Sequence, residues 1–209
     1  MKLCCRTALS IAAISLGCLP AVTAAQDSSH TLTVMDEFQL QTAVDPQISP
    51  DGKKIVYVRR FADPMTDKRY SNLWVINADG TDHRPISTGN HSYTSPRWSP
   101  DGTRLAYFKN EDGDPLFVAD RTGADARQIL VHKGGHSHNP VWSSDSQWIY
   151  FAGGLEPTDA MDVFRVRPSG ESLERLTERG TAVNFIAPID ARSPLASRSR
   201  TLRLRAISP

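Results

Sequence analysis

Apolar and polar residues alternate along this chain in short runs, and the runs come in groups of four. The second run of each group has the clearest period of two. Ile55 and Tyr57, Leu105 and Tyr107, and Ile149 and Phe151 fall on one face of an extended segment. Gly, Pro, Asn and Asp separate the runs, as strand-and-turn sequences require. Beyond the first residues, no stretch has sustained helical periodicity except "VMDEFQLQTA" from Val34. There Asp36 is placed to cap a short helix, and Phe38 and Leu40 to dock on a sheet.

The groups are copies of one another. "PQISPDGKKIVY" starts at Pro46, "PRWSPDGTRLAY" at Pro96, and a worn copy, "PVWSSDSQWIYF", at Pro140, at intervals of 50 and 44 residues. A third run follows in each ("NLWVINADG", "PLFVADRTG", "DVFRVRPSG"), then a fourth ("HRPIS", "ARQIL", "ERLT"). Four short strands repeated at this interval are blades of a β-propeller. The expected fold is therefore all-β: an incomplete β-propeller of three four-stranded blades plus the start of a fourth at "TAVNFIAPIDAR", where Pro188 recurs.

Ser-Pro-Asp-Gly reads as the turn between the first two strands. Pro50 and Pro100 preset φ, Asp51 and Asp101 tolerate the bridge region, and Gly52 and Gly102 accept positive φ. Ser49 and Ser99 can bond turn amides. The worn copy keeps only Asp145 of the last three letters, so the aspartate is expected to do the structural bonding and not catalysis. Trp98 and Trp142, at matched positions, are expected to pack between blades. Trp74 joins them at the third-strand position that Phe117 and Phe164 occupy.

Composition changes the picture at both ends. "MKLCCR", an apolar stretch and "TAAQ" give residues 1–25 the form of a secretory signal, with a cut near Ala25 and a core shorter than the ~20 residues of a membrane span. Cys4, Cys5 and Cys18 all lie inside it, so no disulfide is expected in the mature chain. Residues 26–191 hold 17 Lys or Arg against 23 Asp or Glu, a net of −6 that argues against nucleic acid as a partner. Residues 26–45 read as a lead-in with the short helix and 46–191 as blades. The aromatic-free, acid-free segment 192–209, with five Arg, reads as a disordered tail. The pattern stops within a blade, as in a truncated or frame-shifted copy of a longer propeller. An open arc of three blades is expected to expose two blade faces and to self-associate through them.

The segments "VDPQISPDGKKIVYVRR", "SNLWVINADGTDHRPIS" and "SPRWSPDGTRLAYFKNEDG" resemble the WD40-like repeats shared by TolB-type periplasmic propellers and the propeller domains of prolyl oligopeptidase-family peptidases. The resemblance covers about residues 31–191. It implies a periplasmic or secreted, non-catalytic propeller that binds protein or peptide. The alternative is the N-terminal propeller of a prolyl oligopeptidase or dipeptidyl peptidase-like serine peptidase, ending before its hydrolase domain. The lead-in "HTLTVMDEFQLQTAVDPQISPDG" is more like the peptidase propellers. No G-x-S-x-G elbow occurs, so no hydrolysis is expected of this chain by itself. The candidate binding residues are His91, His136 and His138, read as inter-blade linker positions, with His132 beside them. "HKGGHSHNP" lacks a local thiolate or acid, and "KNEDGDP" lacks calcium-loop spacing and reads as a hairpin turn. No metal or cofactor is assigned, and no membrane span is expected once the signal is removed.

Overall fold

The computed structural model describes residues 33–130, 135–154, 161–177, 186–187 and 205–206. Helix α1 (Val34–Gln39) precedes three antiparallel four-stranded meanders. Blade 1 is β1 (Thr42–Ile48), β2 (Lys54–Asp63), β3 (Lys68–Asn77) and β4 (Arg84–Pro85). Blade 2 is β5 (Tyr93–Trp98), β6 (Arg104–Lys109), β7 (Leu116–Asp120) and β8 (Arg127–Leu130). Blade 3 is β9 (His136–Trp142), β10 (Ile149–Gly154), β11 (Asp162–Val166) and β12 (Glu174–Arg175). The all-β, three-bladed expectation is met.

The helix is capped differently from the expectation. Thr33 is the N-cap, and Asp36 sits three residues on, its Oδ2 accepting from the Thr33 amide at 2.6 Å. This is a capping box with Asp in the acidic position. Leu40, expected to dock on the sheet, ends the helix in extended conformation and stands in solvent.

Each repeat begins in mid-strand and not at a strand start. Asp45, Ser95 and Asn139, the residues before the three repeat prolines, have φ of 49°, 54° and 57°. The ladder slips at each of these places, between Val44 and Gln47, between Thr94 and Arg97, and opposite Tyr150 to Ala152. The proline, which has no N–H, thus falls where the ladder is already broken. Asp, Ser and Asn fill the left-handed position because their short polar side chains tolerate it. The first strands therefore extend upstream of the prolines. Blade 1 starts at Thr42, four residues before its expected boundary.

The turn after each first strand is built the same way three times. Ser49, Ser99 and Ser143 are buried; each donates its hydroxyl to Asp51, Asp101 or Asp145 at 2.7, 2.5 and 2.5 Å. Each serine Oγ also accepts the amide five residues on, from Lys54, Arg104 and Trp148, all at 2.9 Å. Gly52 and Gly102 take positive φ, and Ser146 takes it in blade 3. The substitution of Ser146 for glycine has a partner: its Oγ accepts the Asp101 amide of blade 2 at 3.1 Å.

Successive blades pack face to face. Val56, Val58 and Leu73 of blade 1 meet Leu105, Tyr107 and Ala119 of blade 2. Ala106, Phe108, Leu116 and Val118 of blade 2 meet Ile149, Phe151, Phe164 and Val166 of blade 3. Each fully buried side chain of this size stabilises by about 1.5–3 kcal/mol. Trp98 Nε1 donates to the Gln47 carbonyl and Trp142 Nε1 to the Arg97 carbonyl, each reaching into the preceding blade. Trp74 does not do this. It lies on the side of blade 1 where no described blade stands, with the Arg59 guanidinium 4.3 Å from its ring and His83 at 5.0 Å. Its counterparts Phe117 and Phe164 are inter-blade because their blades have a predecessor.

Arg205 and Ala206 lie in the segment read from the sequence as a disordered tail. Arg205–Ala206 (β14) pairs with Ile186–Ala187 (β13), which runs beside β9 and β10. The rest of 192–209 lies outside the described residues, as does the expected signal segment.

Candidate functional site

The blades approach one another through their first strands, β5 lying beside both β1 and β9. This inner edge is polar. Arg97 Nη1 donates to both carboxylate oxygens of Asp45, at 3.0 and 2.9 Å, and to the Pro96 carbonyl at 2.7 Å. Gln47 Nε2 donates to the same carboxylate at 2.8 Å. The bulge sets this up: positive φ at Asp45 turns that residue out of the ladder, toward the neighbouring first strand. Both charged side chains are about a third exposed, so the pair joins blades 1 and 2 and still faces solvent.

The second polar group lies at one end of the blade 2–blade 3 junction. His136 and His138, expected in a linker, are strand residues of β9. Asp114, in the β6–β7 hairpin with φ of 41°, reaches them. Its Oδ2 accepts the Ser137 amide at 3.3 Å and lies 3.8 Å from His136 Nδ1. Burial raises the Asp114 pKa, against the Ser137 amide and the two histidines. Burial also lowers that of His138, against attraction to Asp114. Burial thus works against the charged form of both Asp114 and His138 in one half-buried cluster.

His91 is not part of it. It precedes β5 at the blade 1–blade 2 junction, exposed, with its ring 6.4 Å from Tyr93. The structure thus brings His136 and His138 together with Asp114 and leaves His91 in another junction. His132 lies outside the described residues. Ser137 stands among a carboxylate and two imidazoles, yet its Oγ is buried without a hydrogen-bond partner, so no histidine activates it. Among the described residues no three His, Cys, Asp or Glu are placed to hold a metal ion.

The opposite end of each blade carries the turn aspartates. Asp51 is lowered to about 2 by the Ser49 hydroxyl, the Lys53 amide and Arg121. Asp145 is lowered by the Ser143 hydroxyl and the Gln147 amide. In Asp101 burial works upward, but the Ser99 hydroxyl and the Thr103 amide and hydroxyl together outweigh it. In each of these carboxylates Oδ1 accepts the serine hydroxyl and an amide of its own turn, and Asp51 Oδ2 accepts from Arg121 of blade 2. Such an arrangement holds a turn and suits a proton-transfer role poorly.

Asp45, Arg97 and Asp114 were missed in the sequence. Their one signal was a polar turn-forming residue immediately before proline, in Asp45-Pro46, Ser95-Pro96, Asn139-Pro140 and Asp114-Pro115. Nothing local pairs Asp45 with Arg97, which lies 52 residues away.

The sequence pattern of the TolB β-propeller domain matches residues 54–185, more than half of the chain. The chain belongs to that family. Among curated proteins it is 31% identical over 133 residues to the uncharacterized peptidase YuxL of Bacillus subtilis, covering 63% of this chain and 20% of that one. It is 31% identical over 81 residues to the Tol-Pal system protein TolB of a Polaromonas species, covering 39% of this chain and 19% of that protein. The chain thus spans about a fifth of the length of these relatives. Among solved structures it resembles the β-propeller domain of the Trilobed protease from Pyrococcus furiosus. That match has a TM-score of 0.54 at 20% identity and covers 72% of this chain and 46% of that one. This last likeness shows the fold alone. The three blades described above are therefore TolB-type blades, and no described helix is long and apolar enough to cross a membrane.

Proposed function

We propose that this TolB-type propeller is an exported, non-catalytic binding surface for a protein or peptide, engaged along the inner edge and at the end carrying the β9 histidines. The observation that carries this reading is the Asp45–Arg97 pair with Gln47. The charged pair is half-buried and partly solvent-facing on the edge where the blades converge, with the neutral Gln47 amide beside it. Groups so placed give orientation and specificity to a ligand that adds its own charged or amide groups. Calorimetric titration of the chain with a panel of defined tetrapeptides differing in charge tests it. Binding of at least one class, weakened by roughly tenfold on Arg97→Ala, is the expected result. No heat from any peptide, or binding indifferent to Arg97, sinks the reading.

A second reading has its own support. The peptidase-like lead-in and the peptidase relative favour the N-terminal propeller of a serine peptidase, which would gate access to a hydrolase domain. The parent DNA beyond the codon for Ala191 separates the two. Further blades followed by G-x-S-x-G-G favour the peptidase, whereas further blades and a stop favour the scaffold. Under both readings this chain alone leaves dipeptidyl p-nitroanilides uncleaved. Export rests on the basic, apolar and small-residue pattern of residues 1–25. N-terminal sequencing of the protein recovered outside the cytoplasm should begin at Gln26, and recovery of the intact Met1 form only in the cytoplasm would refute export.

A further inference from the structure

What a blade needs structurally recurs in every copy of the repeat. The Ser49–Asp51, Ser99–Asp101 and Ser143–Asp145 bonds do so, at matched places in the three turns. The Asp45–Arg97 pair does not. Ser95 and Asn139 stand where Asp45 does relative to the repeat proline, and Gln47 and Val141 stand where Arg97 does. At the junction of blades 2 and 3 the matched places therefore hold Ser95 and Val141, which cannot form an ion pair, and those blades still share a buried core. Blade packing alone does not call for this arginine.

Its unused donors say what it can bind. A guanidinium carries five N–H groups and no acceptor. The two on Nη1 go to the Asp45 carboxylate and to the Pro96 carbonyl, at 2.9 and 2.7 Å. Those on Nε and Nη2 have no partner among the described residues. They are not sealed off, because the buried side-chain atoms without a partner among those residues are Asn72 Oδ1 and Ser137 Oγ. Water therefore reaches Nε and Nη2. Nη1 is held by its acceptors, and Asp45 is held in turn by Gln47 Nε2 at 2.8 Å, so the guanidinium is fixed before any ligand arrives. Nε–H and one Nη2–H lie parallel on one edge, a fork that matches the two oxygens of a carboxylate. A single carbonyl oxygen would leave one of them unmet. The site stands between two described strands, β1 and β5, so a further blade beyond either end of the three would not stand over it.

We propose that Arg97 is a carboxylate-binding site, its Nε and Nη2 taking the two oxygens of a carboxylate on the ligand while Asp45 holds the guanidinium from behind. This rests on the reading of the inner edge as a peptide-binding surface and names the group that the surface selects. Calorimetric titration of the full 209-residue chain with defined peptides tests it. The probes are acetyl-tetraalanine with a free C-terminus, its C-terminal amide, and that amide with one Ala replaced by Asp or by Asn. At least one acid should bind roughly tenfold more tightly than its neutral partner. Whether the preference falls on the free C-terminus or on the Asp peptide identifies the source of the carboxylate. Arg97→Lys, which keeps the charge without the fork, should abolish the preference. Asp45→Asn keeps an acceptor for Nη1 and suits the φ of 49°. It also removes a like charge beside the ligand, so it should tighten binding of the acid. A pair that served only to join the blades would give no such gain. Equal binding of acids and amides, still dependent on Arg97, overturns the carboxylate site and leaves the peptide-binding reading standing. A preference that survives Arg97→Lys, or no gain from Asp45→Asn, overturns it too. Binding of none of the probes sinks both.

Discussion

Ser99 shows how much one side chain does in this fold. Its hydroxyl donates to Asp101 and accepts the Arg104 amide while its own amide bonds the Arg104 carbonyl, all in a site closed to water. Replacing it with alanine leaves a buried amide without a partner, which costs about 1–3 kcal/mol. Urea unfolding of Ser99→Ala should show that loss, and a midpoint equal to wild type would mean that water replaces the hydroxyl. The Asp114 cluster makes a prediction in pH. A carboxyl raised by burial gives the fold stability that is fully present below its ordinary value of 3.8, and that stability is lost as pH rises through the raised value. A histidine depressed by burial contributes stability above 6.5 that is lost as pH falls through the depressed value. Asp114→Asn, which keeps an acceptor for the Ser137 amide, should therefore be more stable than wild type at neutral pH. The advantage should vanish below pH 3.8. A constant difference across that range would show that ionisation of Asp114 is not responsible.

At the scale of elements, the hairpins between third and fourth strands decide how closely blades approach. A Cβ on Gly123 would lie 2.7 Å from Ile86 of blade 1, and one on Gly170 would lie 2.9 Å from the Ile129 carbonyl of blade 2. Gly80, at the matching hairpin of blade 1, has φ of +87° like the +83° of Gly123 but nothing within 4 Å. The two positions share the conformational cost of alanine, and only one has the collision. Gly80→Ala should cost about 1–2 kcal/mol for left-handed φ, and Gly123→Ala about 1–3 kcal/mol more for overpacking. Equal losses in denaturant titrations would show that blade spacing relaxes freely. The sequence marked all three glycines as turn residues, since a turn is a local object. It could not mark which of them touches a neighbour, because that contact crosses 37 residues of chain in one case and 41 in the other.

At the scale of the molecule, the end blade differs from its neighbours only by what lies beside it. Trp98 and Ile48 occupy the same place in successive blades, the first packed on its predecessor and the second in water. Trp98→Ile should destabilise by about 1–3 kcal/mol through lost area and a lost hydrogen bond. Ile48→Trp, which installs the inter-blade residue where no described blade precedes it, should leave the stability of the chain within about 0.5 kcal/mol of wild type. A large gain from Ile48→Trp would reveal a covering element for that face.

Repeat length, strand number, turn chemistry and the inter-blade places of Trp98 and Trp142 were legible because they are periodic, and a period survives without knowledge of neighbours. The aspartates of the turns were legible for the same reason, three copies making one letter stand out. The sequence by itself thus determined the TolB-type blade and its turns. Tertiary structure alone decided the rest: the bulge that aims Asp45 at Arg97, the move of His136 and His138 from linker to strand beside Asp114, and the packing of Phe117 and Phe164, but not Trp74, against a neighbouring described blade. Each depends on which segment lies next to which in space, and alternation along one strand specifies two faces without saying which of them will be covered.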